Sequence, residues 1–144
     1  MRIWDYRLLP YLPDIQLKWQ WIECVRITYK FSEKDRGNDE IVNMVSKYPP
    51  EHFATYCFSV FMEMKKRGFS VSDISTKKIG DFGKFPIKEP IFDGWHNSEY
   101  INSCMNDLYK KHRFGFQNYC ITDKEWEVLL DGYKTITGEE YKIQ

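Results

Sequence analysis

The chain has 144 residues, 42% hydrophobic and 17% aromatic, with 21 basic and 21 acidic side chains. That is enough apolar material for one core, which excludes global disorder, and no apolar run reaches the roughly 18 residues of a bilayer span. Zero net charge gives no argument for nucleic acid, but 18 Lys and Arg against 15 Asp and Glu over residues 1–121, and 3 against 6 over 122–144, leave a local basic surface open.

The N-terminus lacks the charged-then-apolar pattern of a secretion signal, so the expected compartment is the cytosol and no membrane partner is expected. Cys24, Cys57, Cys104 and Cys120 are widely spaced in apolar segments and read as reduced core residues. His52, His96 and His112 form no ligand-spaced cluster. Neither a metal nor a cofactor is expected.

The opening "RIWDYRLL" alternates loosely and reads as extended, after which Pro10 and Pro13 bracket a turn. Asp14 suits an N-cap, and Ile15 to about Phe31 has no Gly or Pro to interrupt a helix. "SEKDRGND" reads as a charged loop, followed by a short helix near Glu40–Lys47. Pro50 can open the next helix, whose run "EHFATYCFSVFMEMKKRG" is apolar on nearly every side and reads as the central buried helix. "KKRG" is ordinary helix-stop chemistry. Residues 69–96 are rich in Gly and Pro and read as a long irregular surface connection. A helix capped by Asn97 or Ser98 ends near Arg113, and a last one starts at the box Thr122 to Glu125. The expectation is an all-α, compact single domain over residues 1–144, with about four to five helices and an extended N-terminal segment packed on the central ones.

On a wheel of about 100° per residue with Gln16 at zero, Gln20 falls at about +40°, Glu23 at about −20°, Lys30 at about −40° and Arg26 at about −80°. Apolar residues cover most of the rest. A carboxylate in so narrow a polar strip reads as a partly desolvated acid/base group, or as a simple partner of Arg26 three residues on. Glu23 lies about 13 Å into the helix. Residues 1–9, if extended, span up to about 30 Å, so a reversal at the two prolines lets Met1 reach it. Arg2 is too large for efficient trimming of the initiator methionine, so a free Met1 α-amine is expected. Its reference pKa of about 7.7–8.0, against about 10.4 for lysine, suits attack on an aldehyde carbon.

The run from Arg2 to Cys24, "R-I-W…L-L-P-Y-L-P…Q-L…Q…E-C", resembles the start of the pyrimidine-dimer DNA glycosylase family, and "MEMKKRGF" at residues 62–69 resembles its central helix end. Together the two blocks cover about a quarter of the chain, with weaker similarity in "YKKHRFGF". The resemblance implies an all-α DNA glycosylase with AP lyase activity, acting on lesion-bearing double-stranded DNA as a monomer. Met1 would supply the amine that attacks C1′ to form an imine before β-elimination. Glu23 would be the catalytic carboxylate that stabilises the sugar cation and moves protons. Arg2 and Arg26 would lie near phosphates or the lesion, with Gln16 and Gln20 as substrate- or DNA-facing groups. Trp21 and Ile22 stand where relatives carry a basic residue, which is compatible with weaker or more narrowly targeted DNA binding, or with a changed substrate. Lys110, Lys111 and Arg113, with Phe114, Phe116 and Tyr119 nearby, suit a phosphate-and-base surface, or equally a helix C-terminus with its complementary cations. The rival classes are a non-enzymatic member of the same fold and an unrelated helical interaction protein.

Overall fold

A computed structural model describes residues 2–31, 39–82, 86–115 and 120–143, without the side chains of 81 and 82. Every regular element among the described residues is helical: a 3-10 helix Tyr6–Tyr11, then α1 (Asp14–Phe31), α2 (Glu40–Ser46), α3 (Pro50–Lys66), α4 (Asp73–Phe82), α5 (Ser98–Phe114) and α6 (Asp123–Thr137). The all-α class is as expected, with more helices than the sequence suggested. Of the charged loop read at 32–39, all but Asp39 lies outside the described residues.

Two local readings are corrected. The opening is not extended throughout: Asp5 accepts the Arg7 backbone N–H at 3.0 Å and its carbonyl accepts Leu8 N–H at 3.0 Å, starting the 3-10 helix. Pro10 sits inside it because so short a turn asks little of a proline nitrogen. The second correction lies in residues 69–96, where Ser72 starts α4 by accepting from Thr76 N–H and, through its hydroxyl, from Ser75 N–H. Gly80 lies inside this helix, and one glycine costs it only about 1 kcal/mol. The rest of that segment is not purely a surface connection either, because Ile91 and Phe92 are fully buried.

The chain forms two compact units. The first gathers Arg2, Ile3 and the described residues of Lys18–Phe92. Its core uses Phe53, Tyr56, Cys57 and Val60 from α3 with Trp21, Cys24 and Ile27 from α1. Trp21 meets Phe61 at 6.0 Å and Phe31 meets Phe53 at 6.2 Å. α3 is not buried all round as expected: Phe58 and Met62, four residues apart on one face, are half exposed. Gly68 at φ 84° ends this helix in the left-handed region that glycine tolerates. The loop returning to α3 is pinned at Thr55, whose hydroxyl accepts Ile87 N–H at 2.7 Å, and at His52, whose Nδ1 accepts Phe92 N–H at 2.9 Å. Phe92 holds φ 54°, unusual for a bulky residue, while packed against Tyr48 and Tyr56.

The second unit gathers Trp4–Leu17 and the described residues of Asp93–Gln144. Here the Tyr11 ring covers Gly132 of α6, where an added Cβ would fall 2.3 Å from the ring's Cγ. Trp126 stacks on His112 at 5.6 Å, and Tyr133 donates its hydroxyl to Asn102 at 2.6 Å, joining α6 to α5. The predicted capping box is complete: Thr122 Oγ1 accepts Glu125 N–H at 3.1 Å and Glu125 Oε1 accepts Thr122 N–H at 3.0 Å. Three cysteines are buried as expected; Cys120 is exposed, because it precedes α6 instead of facing a core.

Candidate active site

The site is built on one face of α1. Residues three and four apart on a helix are neighbours, so Gln20 and Glu23 share a face and Arg26 lies one step further along it. That polar strip faces inward: Gln20 is 2% exposed and Glu23 0%, while Trp19, Ile22 and Tyr29 occupy the solvent side. The helix is thus partly inverted, with polar groups inside and aromatic and aliphatic groups outside.

A buried carboxylate needs compensating charge and hydrogen bonds. Arg26 supplies both to Glu23, its Nε donating to Oε1 and Oε2 at 3.1 Å each and its Nη2 donating to Oε1. The same guanidinium reaches Asp39 Oδ2 through Nη1 at 2.7 Å. Asp39 is also the N-cap of α2, its Oδ1 accepting Ile41 and Val42 N–H at 3.1 Å each. Asp39 therefore fastens α2 to the cation that neutralises Glu23. The Arg26 guanidinium is held above its ordinary pKa, chiefly by the hydrogen bond to Glu23. For Asp39, burial alone pushes the carboxyl up, but Arg26 and the two backbone donors more than offset this and hold it below the usual carboxylate range.

Gln20 completes the arrangement. Its Nε2 donates to the Arg2 carbonyl at 3.2 Å, and its Oε1 accepts the Tyr56 hydroxyl at 2.7 Å. Arg2 is half-buried. Met1 lies outside the described residues.

Of the residues singled out from sequence, the first unit brings together Arg2, Gln20, Glu23 and Arg26. Gln16, also buried, belongs to the second unit. So do Lys110, Lys111 and Arg113 in the last turn of α5, where Lys110 and Arg113 are exposed and Lys111 is half-buried. Phe114 is 69% exposed beside them. Phe116 and Tyr119 lie outside the described residues. His112 has partners of its own, with Nδ1 3.0 Å from the Ile121 carbonyl and Nε2 3.5 Å from Asp123. Among the described residues no three His, Cys, Asp or Glu side chains are grouped to hold a metal ion.

Two participants escaped the sequence reading. Asp39 carried a signal, since an Asp directly before a helix start is a capping residue, but its link to Arg26 joins residues 13 apart in the chain and cannot be read locally. Tyr56 carried none, because a tyrosine in an apolar helix looks like core.

The assembly is a fully desolvated carboxylate, a guanidinium shared between two acids, and an amide that grips the backbone of residue 2. Such a group can stabilise positive charge on a reacting carbon while the chain start is held nearby. Residues 1–76 match the family model described as pyrimidine dimer DNA glycosylase, just over half of the chain and all of the residues assembled on this face of α1. No curated protein and no solved structure matches.

Proposed function

The chain belongs to the pyrimidine dimer DNA glycosylase family, and from that premise we propose that it excises a damaged base from double-stranded DNA and cleaves the resulting abasic site, using the Met1 α-amine and Glu23. The observation that carries this reading is the grip of Gln20 on the Arg2 carbonyl. Covalent geometry keeps the preceding amine nitrogen within about 5 Å of the Arg2 α-carbon. Gln20 and Glu23 lie three residues apart on α1, so their β-carbons are about 5–6 Å apart. The hydrogen bond thus ties the residue after the amine to the face of α1 that carries the buried carboxylate, which supports the reading.

The chemistry follows in balanced steps. The target nucleotide leaves the stack, at a cost that is smallest where damage has already weakened pairing. The amine lone pair bonds to C1′ as the C1′–N glycosidic bond breaks, the electron pair leaving with the base, which takes up a proton. Loss of a proton from nitrogen and opening of the sugar ring give the imine, with the ring oxygen protonated. Removal of a C2′ proton then drives β-elimination, breaking the C3′–O bond and releasing the phosphate. Glu23 opposes the positive charge that develops at C1′ and relays the protons. Arg26 holds the carboxylate in the absence of DNA and has a phosphate as an alternative partner when the strand arrives.

The test is borohydride trapping on a duplex with one abasic site, using protein whose Met1 carries no extension. The expected result is a covalent adduct that maps to the N-terminal peptide. An adduct on an internal lysine, or none, overturns the nucleophile.

A second reading has its own support. Both oxygens of Glu23 are engaged by Arg26, which is also how a purely structural ion pair looks, so a DNA-binding member without catalysis is the alternative. Glu23→Gln separates the two. Strand cleavage in the folded variant is expected to fall about 100-fold or more, the usual range for losing an acid/base group; undiminished cleavage favours the structural reading.

A further inference from the structure

The chemistry above requires the chain start to be held still, and the first unit contains a hydrogen-bond relay that reaches it from inside α3. Tyr56 is completely buried, its ring packed against Phe92 at 6.0 Å. Its hydroxyl meets Gln20 Oε1 at 2.7 Å, and Gln20 Nε2 meets the Arg2 carbonyl at 3.2 Å.

The polarity of this relay is fixed by its last member. A backbone carbonyl only accepts, so the Gln20 amide must turn Nε2 toward Arg2. That leaves Oε1 facing Tyr56, and the tyrosine hydroxyl must therefore donate. Each group sets the orientation of the next, and the final contact is with the backbone directly after the residue that bears the amine. An ordinary buried tyrosine satisfies its hydroxyl on any nearby acceptor; this one orients an amide whose other end restrains the chain start.

We propose that Tyr56 is a positioning residue for the reaction, acting through Gln20 on the backbone of Arg2. The proposal rests on the Met1-amine reading. Phenylalanine at 56 keeps the ring packing but removes the hydroxyl that donates to Gln20 Oε1, so the amide is held less firmly and the grip on Arg2 loosens. Small misplacement of a reacting group is enough to cost orders of magnitude in rate.

The experiment is a double-mutant cycle on single-turnover borohydride trapping with an abasic duplex, with duplex affinity measured alongside. Tyr56→Phe is expected to slow trapping about 10- to 100-fold without changing the duplex Kd. Gln20→Met, which fills the same space but neither donates nor accepts comparably, is expected to slow it at least as much. The double variant is expected to be no slower than Gln20→Met alone, because the proposed route from Tyr56 runs through Gln20. A purely structural loss would instead lower thermal stability and leave the rate unchanged well below melting. If the wild-type chain traps and Tyr56→Phe traps equally fast, the assignment of Tyr56 is overturned while the amine reading stands. Losses that multiply in the double variant overturn the route through Gln20. If the wild-type chain itself forms no adduct, the amine reading fails and the catalytic role of Tyr56 fails with it.

Discussion

At the scale of single residues, Asp39 joins two jobs that are usually separate: it caps α2 and pairs with Arg26. Its folded pKa lies below its ordinary value of 3.8. A group with a depressed folded pKa contributes stability that is present above the unfolded value and is lost as pH falls through the folded one. Asp39→Asn is therefore expected to lower stability at neutral pH and to lessen the further loss on acidification below about 4, which urea melts at the two pH values will report. A variant with the wild-type pH response would detach Asp39 from acid sensitivity. The i, i+3 spacing made the Glu23–Arg26 pair legible in advance. The partners from other elements, Asp39 and Tyr56, were not, because helix periodicity says which face a residue occupies and nothing of what meets it.

At the scale of elements, legibility followed local chemistry. The α6 start was readable because Thr122 and Glu125 satisfy each other's backbone N–H groups without outside help. Thr122→Ala should accordingly cost about 1 kcal/mol of stability, measurable by denaturant unfolding. A cost near zero would mean that packing of Trp126 and Leu129 alone sets the helix start. α4 was hidden because Gly80 and the glycines and prolines after it masked an amphipathic pattern, and the start that Ser72 provides is a hydroxyl and carbonyl contact rather than an obvious capping motif. In α1 the polar strip was correctly located and its carboxylate read as partly desolvated; what the wheel did not show is that Trp19 and Ile22 turn to solvent. Internal partners for Gln20 and Glu23 reversed the usual rule of polar outside and apolar inside.

At the scale of the whole molecule, the resemblance in the first 24 residues pointed to the family that the match over residues 1–76 shows. The residues after 76 are not covered by that match, and composition said little about them beyond a helical pattern. Two packing facts in the second unit had no signature in the sequence: the aromatic pile of His112 and Trp126, and the bare α6 backbone under Tyr11. The second has a practical side. Any side chain at 132 must displace the Tyr11 ring at its root, and Gly132 is remote in sequence from the groups on α1 and α3. Gly132→Ala is thus expected to behave as a heat-sensitive allele, with abasic-DNA trapping close to normal in the cold and abolished by modest warming, so that function can be switched off by temperature alone with every reacting group intact.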